Sequence, residues 1–215
     1  MVITWYGQSC FKIQSGDLVM VIDPFSKDIG LTPPRFRADI ALVTHAHADH
    51  NNLESITGDP FSITGPGEFE VKGAYIHGIE TFHDTQNGKE RGLNTIFLCE
   101  IEGIRVLHMG DYGEEVVRNS RFLEEVGKVD ILLVPVGGTY TIDGENAARL
   151  SKDIEPRYVI PMHYKIPDLK ISLQDNSAFL KEMGVKNAQQ QEKFTIKKKD
   201  IAVEEKTEVI VLKPA

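Results

Sequence analysis

The sequence predicts an α/β (α+β) fold, a layered domain in which two β-sheets pack together and helices lie outside them. Three observations support this prediction. The chain has 215 residues, which suits a single domain spanning residues 1–215. Its first half consists of short apolar or alternating runs separated by turns, which is typical of β-strands. Its second half alternates apolar runs with amphipathic segments, which is typical of alternating strands and helices.

In the first half, strands are predicted over residues 2–6, 10–14, 18–22, 40–44, 95–101 and 104–109. Asp23-Pro24 ends the third of these runs, and residues 26–39 carry one glycine and two prolines. We therefore expect an irregular loop over 26–39. Glu102-Gly103 separates the last two runs and indicates a hairpin turn.

In the second half, residues 114–126 show helical apolar spacing, acidic residues in the first turn and a glycine after the end. Asp143 is a candidate N-cap for a helix over 143–154. A third helix is predicted over 172–183, where Gly184 would stop it. The remaining predicted strands cover 129–136, 158–160 and 209–212.

Composition excludes several classes of protein. The net charge of −8 argues against a nucleic-acid binder with a broad basic face. The two cysteines, Cys10 and Cys99, are too few for a disulfide framework and favour a reducing compartment. The first residues carry no secretory signal, and the longest apolar run, 131–136, is far shorter than the ~20 residues of a membrane span. We therefore expect a cytoplasmic protein.

The strongest chemical signal is the segment HAHADH at residues 45–50. It places three histidines and one aspartate within six positions of a chain that has seven histidines in total. Imidazole nitrogens and carboxylate oxygens are zinc ligands, so this pattern indicates a metal site. Positions i and i+2 of an extended backbone point to the same side, so His45 and His47 would hold one metal. After a turn into a short helix near 51–55, Asp49 and His50 would serve a second metal.

Four ligands from one loop cannot complete two metal sites, so further ligands are expected elsewhere. His83, Asp111 and His163 each follow an apolar, strand-like segment, where ligands of a site at a sheet edge must lie. His108 lies three residues before Asp111, and strand alternation puts it on the opposite face, in the core or behind the ligands. His77 is expected in the pocket wall or at the surface.

Six segments carry a resemblance to a known family: VIDPF, THAHADHNN, FHDTQNGKERGLNTIF, HMGDYGE, LLVPVGGTYTID and VIPMHY. They resemble the metal-dependent hydrolases of the metallo-β-lactamase fold, and most of all the small branch of L-ascorbate-6-phosphate-lactonase-like proteins. The resemblance extends from residue 4 to about residue 164. It implies a four-layer αβ/βα sandwich of two mixed β-sheets flanked by helices, with the metal site at one edge between the sheets.

The resemblance also implies a role for each candidate ligand. The first metal would be held by His45, His47 and His83, the second by Asp49, His50 and His163, and Asp111 would bridge the two. Asp23 of VIDPF matches the family's acidic residue behind the site, where it would accept the second ring N–H of a ligand histidine.

The expected chemistry is hydrolysis. Two divalent ions about 3.5–4 Å apart, zinc in the first place with manganese or iron as alternatives, would share a water and lower its pKa towards 7. The bridging hydroxide would cleave a small ester, lactone or phosphodiester, with Asp49 and Asp111 as the catalytic carboxylates. Tyr140, Lys165 and Arg91 are candidate substrate contacts. We expect a small-molecule substrate and no membrane or nucleic-acid partner, while a homo-oligomer stays open.

Two other functions stay open on the same fold. An iron-loaded redox or oxygen-handling protein would use this scaffold, but such relatives carry glutamate in place of His47 and an additional flavin domain. A metal-binding scaffold without turnover is the other alternative. It is disfavoured because every ligand position of the resembled family carries the expected residue type. Metal analysis would separate the iron protein, and a panel of substrates would separate the scaffold.

Overall fold

A computed structural model describes residues 1–115, 120–201 and 206–215 of the chain. Within these ranges the strands are β1 Val2–Gly7, β2 Cys10–Ser15, β3 Leu18–Ile22, β4 Ile40–Leu42, β5 Phe61–Ile63, β6 Gly67–Val71, β7 Ala74–Phe82, β8 Leu93–Ile101, β9 Ile104–His108, β10 Ile131–Pro135, β11 Tyr158–Met162, β12 Gln190–Gln191, β13 Phe194–Thr195, β14 Glu208–Val209 and β15 Val211–Leu212.

The strands form two large sheets. Six belong to the first sheet, in the order β13-β1-β2-β3-β4-β5, and seven to the second, in the order β14-β11-β10-β9-β8-β7-β6, while β12 and β15 form a small separate pair. The first sheet is antiparallel from β13 to β3 and parallel from β3 to β5. The second is antiparallel from β6 to β9 and parallel from β9 to β14. Both sheets are mixed, so the predicted fold class is confirmed.

The described helices are α1 Ser120–Val126, α2 Gly144–Ile154, α3 Ser177–Glu182 and α4 Lys198–Ile201, with 3-10 helices at Lys27–Ile29 and Leu53–Ser55. The Asp143 carboxylate accepts the N–H of Asn146 at 2.8 Å, so the predicted N-cap of α2 is confirmed. Part of the helix predicted over 114–126, residues 116–119, lies outside the described residues. None of the described helices is long and apolar enough to cross a membrane.

The two large sheets share one hydrophobic core. Trp5 and Phe11 of the first sheet and Phe97 of the second are fully buried in the same cluster, which Phe179 of α3 also joins. A smaller cluster lies on the opposite face of the first sheet, where Val21 packs with residues of both 3-10 helices. The two loops that carry these 3-10 helices, one before and one after β4, cover the first sheet, whereas α2 packs against β10 of the second sheet.

The helix predicted over 172–183 begins later, at Ser177, and the earlier start was wrong. The backbone of Gln174 is engaged elsewhere, because its N–H donates to the carbonyl of Gly137 at 3.0 Å and its carbonyl accepts the N–H of Lys165 at 2.9 Å. These two bonds hold the segment against neighbouring loops, so the chain becomes helical only after them.

Two predicted strands also differ from the structure. The strand over 40–44 ends at Leu42, because the N–H of Thr44 donates to the Asp23 carboxylate at 2.8 Å and not to a neighbouring strand. The strand over 209–212 is split, since β14 pairs with β11 whereas β15 pairs with β12. The other predicted elements within the described residues are present, with boundaries shifted by at most two residues.

Candidate metal centre

The seven predicted ligands converge on the edge where the two sheets meet. Four of them lie on the loop that follows β4 of the first sheet. The other three come from the second sheet, where His83 follows β7, Asp111 follows β9 and His163 follows β11. Their side chains form two groups, in each of which the ligand atoms lie within 4.8 Å of one another. The first group is His45, His47 and His83, and the second group is Asp49, His50, Asp111 and His163.

The first group consists of imidazoles alone. The ring centroids of His45 and His47 are 4.6 Å apart, and those of His45 and His83 are 4.8 Å apart. Residues 44–47 form a series of bends, so the expected extended backbone was wrong. The two rings nevertheless come together, because the bends bring His47 back towards His45. His47 is exposed, whereas His45 and His83 are buried.

The second group is built around one carboxylate oxygen of Asp111. Its Oδ2 lies 3.3 Å from Nε2 of His50 and 3.1 Å from Nε2 of His163. The same Oδ2 lies 3.3 Å from Nε2 of His83, which belongs to the first group. Asp111 Oδ2 is therefore shared by both groups, which is the position that a bridging carboxylate must occupy.

Asp23 fixes the orientation and the tautomer of two histidines. Its Oδ2 accepts the Nδ1–H of His50 at 2.9 Å and the hydroxyl of Thr44 at 2.7 Å. Because the Thr44 hydroxyl proton points to Asp23, its oxygen is left to accept the Nδ1–H of His45, which lies 3.0 Å away. This arrangement places a proton on Nδ1 and leaves the Nε2 lone pair of His45 free for a metal. Asp23 thus reaches the second group directly and the first group through Thr44.

The turn between β1 and β2 supports both carboxylates of the second group, and sequence reasoning missed it. Gln8, fully buried, donates from Nε2 to Asp49 Oδ2 at 2.9 Å. The Ser9 hydroxyl donates to Asp111 Oδ1 at 3.3 Å. Polar residues of a tight turn between two buried strands were the available signal, but they also occur at ordinary surface turns.

Asn94 on β8 is a second residue that sequence reasoning missed. Its Oδ1 accepts the backbone N–H of Asp111 at 3.0 Å, and its Nδ2 donates to the carbonyl of Met109 at 3.0 Å. Asn94 therefore holds the backbone that carries the bridging carboxylate. A buried polar residue inside an apolar strand was the only sign of this role in the sequence.

Two glycines lie against the backbone of candidate ligands. A Cβ at Gly113 would stand 2.4 Å from the carbonyl carbon of His83. A Cβ at Gly137 would stand 2.1 Å from the carbonyl oxygen of His163. Any larger residue at either position would displace a candidate ligand, so the close approach requires glycine.

The two groups differ in their protonation when no metal is bound. Burial lowers the pKa of His45 to about 3 and also lowers the pKa of His47. Burial acts in the same direction on His50, but the neighbouring carboxylates of Asp111 and Asp23 outweigh it and raise its pKa well above the usual value. Burial would raise the pKa of Asp111, yet His163 and His50 hold it well below its usual range. Two histidines of the first group are thus held neutral, whereas the second group contains opposite charges.

A pocket of about 390 Å³ opens onto the cluster. Candidate ligands line its floor, and the predicted substrate contacts Arg91 and Tyr140 line it as well. Lys165 is exposed and is not among the described residues that line this pocket, since its loop runs alongside Gln174.

His108 and His77 lie outside both groups. His108 is fully buried, and its Nε2 donates to the carbonyl of Ser9 at 2.8 Å while its Nδ1 accepts the N–H of Gly110 at 3.1 Å. His77 is half-buried on β7, opposite Glu68 of β6, and does not line the pocket among the described residues.

The donor set fits divalent metal ions. Within the described residues, Nε2 of His45 is buried and has no hydrogen-bond partner, although its Nδ1 is held by Thr44. A buried nitrogen lone pair without a partner is costly unless a cation occupies the space before it. Imidazoles with one carboxylate between them are also the ligands that zinc and related ions take.

Comparisons with known proteins identify the family of this chain. Residues 2–163 match the family model of the beta-lactamase superfamily domain. The UPF0173 metal-dependent hydrolase of Carboxydothermus hydrogenoformans is 30% identical, and the alignment covers 76% of this chain and 84% of that protein. A solved structure from Thermotoga maritima, a candidate zinc-dependent hydrolase of the metallo-β-lactamase superfamily, is 34% identical with a TM-score of 0.79 and 99% coverage of both chains.

A more distant structure shares the fold alone. A diiron β-hydroxylase from Streptomyces venezuelae superposes with a TM-score of 0.55 at 13% identity, over 75% of this chain and 44% of that one. Two mixed sheets with a histidine and aspartate cluster at their common edge define a metal-binding protein of this fold. The chain belongs to the metallo-β-lactamase superfamily and, within it, to the metal-dependent hydrolases, as the sequence motifs predict.

Proposed function

We propose that the protein binds two divalent metal ions, zinc in the first place, and hydrolyses a small ester, lactone or phosphodiester. The observation that carries the proposal is the position of Asp111 Oδ2, 3.1–3.3 Å from histidine nitrogens of both groups. One oxygen shared by two ligand groups favours two ions that act together over two independent sites.

The residues of the chain would divide the work between holding the ions and handling the proton. When bound, two such ions lower the pKa of water towards about 7 and polarise a carbonyl or phosphoryl oxygen. The first group would hold one ion with three imidazoles, and Asp49, His50 and His163 would hold the other. Asp23 and Thr44 would keep the histidine lone pairs directed at the ions.

Asp49 is the carboxylate placed to handle the proton of the attacking water. Its side chain is 22% exposed and lines the pocket, whereas the side chain of Asp111 is 3% exposed. Gln8 donates to Asp49 Oδ2 and holds the carboxylate in place. Asp49 would therefore accept the proton at its carboxylate while Asp111 stays between the two groups.

The pocket supports a small-molecule substrate. Its volume of about 390 Å³ lies at the lower end of the range for small-ligand sites, roughly 300–1,000 Å³. The resemblance to lactonase-like proteins favours a cyclic ester or a phosphorylated small molecule. Because a fold does not determine a substrate, lactones and phosphodiesters must be tested side by side.

The experiment combines elemental analysis with hydrolysis assays. Protein purified without added metal is analysed for zinc, manganese and iron, and then assayed on bis-p-nitrophenyl phosphate and on δ-valerolactone before and after chelation. We expect about two ions per chain, loss of turnover on chelation and recovery when zinc or manganese is restored. Iron as the bound metal, without chelator-sensitive hydrolysis, would favour the redox alternative, and bound zinc without turnover would favour a scaffold.

Two histidine variants make the assay specific for the cluster. His83→Gln removes a candidate ligand, and His77→Gln changes a histidine of β7 that lies outside both groups. We expect H83Q to lose metal and turnover together and H77Q to keep both. Equal behaviour of the two variants would contradict the assignment.

A further inference from the structure

The loop between β7 and β8 brings a single cation to the pocket. Among the described residues that line the pocket, Arg91 is the only lysine or arginine. The lining carboxylates belong to Asp28, Asp49 and Asp111. An anionic group that enters the pocket away from the metal cluster would therefore be attracted to Arg91 and repelled from Asp28.

The loop that carries Arg91 is held by a buried carboxylate. Asp84 is 4% exposed, and its Oδ1 accepts the backbone N–H groups of Gln86 at 2.7 Å and Gly88 at 2.9 Å. Its Oδ2 accepts the N–H groups of Glu90 at 3.0 Å and Arg91 at 2.9 Å. Four bonds to one carboxylate fix the course of the loop, so Asp84 sets the position of the Arg91 backbone.

The same loop is tied to the metal cluster. The N–H of His83, a candidate ligand, donates to the carbonyl of Gly92 at 3.1 Å, next to Arg91. The loop of Tyr140 is also anchored beside a candidate ligand, because Gly137, three residues before Tyr140, lies against the carbonyl of His163. The distance from Arg91 and Tyr140 to the cluster is thus set by short, anchored segments.

The guanidinium of Arg91 keeps donors available for a ligand. Its Cζ lies 5.8 Å from the ring centroid of Tyr140, within the range of a cation–π contact. Its charged neighbour is Glu90, whose Oε2 is 3.5 Å away, and both side chains are partly exposed at 34% and 50%. An exposed pair of this length contributes little, so an oxyanion can take its place. A guanidinium carries five N–H donors and binds phosphate or carboxylate with two of them at once.

We propose that the substrate carries, apart from the bond that is cleaved, an anionic phosphate or carboxylate group, and that Arg91 binds this group. Tyr140 supports the guanidinium, and Asp84 is a positioning residue that acts through the loop backbone. The inference rests on the proposed hydrolase function, because it assigns the substrate class of that same pocket.

The test uses substrates in matched pairs that differ by one anionic group. The phosphate pair is δ-gluconolactone and its 6-phosphate, and the carboxylate pair is p-nitrophenyl butyrate and mono-p-nitrophenyl glutarate. Arg91→Met is compared with Arg91→Lys and with Lys89→Met, which removes an exposed cation from the same loop. All variants are assayed with metal restored.

We expect R91M to lower kcat/KM for the anionic member of at least one pair about 10- to 100-fold, mainly through KM, as expected for loss of a charge-assisted hydrogen bond. The neutral member should change by less than about threefold, R91K should show an intermediate loss, and K89M should show none. Asp84→Asn should also lower kcat/KM for the anionic member relative to the neutral member. The amount of bound metal should stay at the wild-type level.

The two pairs identify the anion, because a loss confined to the phosphate pair supports a phosphate and a loss confined to the carboxylate pair supports a carboxylate. Equal losses for both members of each pair, or no loss, would overturn the role of Arg91 and leave the hydrolase function standing. Absence of chelator-sensitive hydrolysis by the wild-type protein would overturn both.

A binding measurement provides a readout without turnover. Calorimetric titration of chelated protein with glycerol 3-phosphate and with glutarate compares wild type and R91M. The dissociation constant of at least one anion should rise about tenfold or more in R91M. Equal affinities of the two proteins for both anions would contradict the proposal.

Discussion

The first and second groups of the candidate metal centre share one carboxylate oxygen but differ in charge and in the residues that support them. The first group consists of imidazoles, and His47 is exposed, whereas the second group contains two carboxylates and is nearly buried. Gln8 and Ser9 donate hydrogen bonds to the carboxylates of the second group, and Asp23 accepts one from His50. Asp23 reaches the first group through the hydroxyl of Thr44, which accepts the Nδ1–H of His45. The second group is therefore held by direct hydrogen bonds from buried residues, whereas the first group is reached through Thr44 and includes the exposed His47.

The largest expected effect comes from removing the oxygen that the two groups share. Asp111→Ala should lower turnover by about 10³-fold or more and reduce the bound metal in both groups. Elemental analysis and hydrolysis assays measure the two effects. Asp17→Ala, at an exposed turn, is the control. If D111A still bound two ions fully, the two groups would be independent of each other, and the shared oxygen would have no role in metal binding.

The next largest effect is on the stability of the metal-free protein, measured in the presence of a chelator for one variant in each group. His50→Ala removes the buried histidine that lies between the carboxylates of Asp23 and Asp111, so the free energy of unfolding should fall by about 3–5 kcal/mol. His47→Ala removes an exposed side chain and should cost within about 0.5 kcal/mol. Urea unfolding measures both, and equal costs would contradict the view that the second group is built more tightly into the fold than the first.

A third pair of variants tests the route from Asp23 to each group. Asp23→Asn should weaken zinc binding to both groups, by about 10- to 100-fold at the second. Thr44→Val keeps the N–H that donates to Asp23 but removes the hydroxyl between Asp23 and His45, so it should weaken the first group alone, by about tenfold. Competition with a chromophoric chelator measures the two affinities. A similar loss at both groups in T44V would rule out the relay through its hydroxyl.

The smallest expected effect is a difference in pH dependence. The raised pKa of His50 means that it holds a proton in the metal-free protein, and a metal must displace this proton. The affinity of the second group should therefore fall as the pH is lowered, by at most about tenfold per pH unit for one proton. His45, with its pKa lowered to about 3, has no proton to release near neutral pH.

Calorimetry in buffers of different ionisation enthalpy counts the protons released in each binding step. Proton release in only one of the two binding steps would show that the two groups differ in protonation, as we expect. Equal release in both steps would show that the groups are protonated alike.

The candidate ligands could be predicted because their signals are local. His45 to His50 lie in one segment, and His83, Asp111 and His163 each end an apolar run that is recognisable without knowledge of its partners. The order of strands in the two sheets then brings these strand ends to one edge. Local patterns therefore predicted which residues meet, and the resemblance to a known family predicted how they are grouped.

The supporting residues could not be predicted because their partners are distant in the chain. Gln8 meets Asp49, Ser9 meets Asp111, and Asn94 holds the Asp111 backbone, yet none lies in a pattern of its own. The late start of α3 has the same origin, since the Gln174 backbone bonds to Gly137. Contacts of this kind depend on which loops become neighbours after the sheets have formed.

The close approach of Gly113 and Gly137 to the backbone of His83 and His163 limits how this protein can acquire a new substrate range. Substitutions at these glycines would move a candidate ligand before they altered the pocket. The side chains of Arg91 and Tyr140 can change without displacing a candidate ligand, because both line the pocket from loops and neither belongs to the two ligand groups. A directed-evolution library should therefore keep the two glycines fixed and randomise the two loop positions.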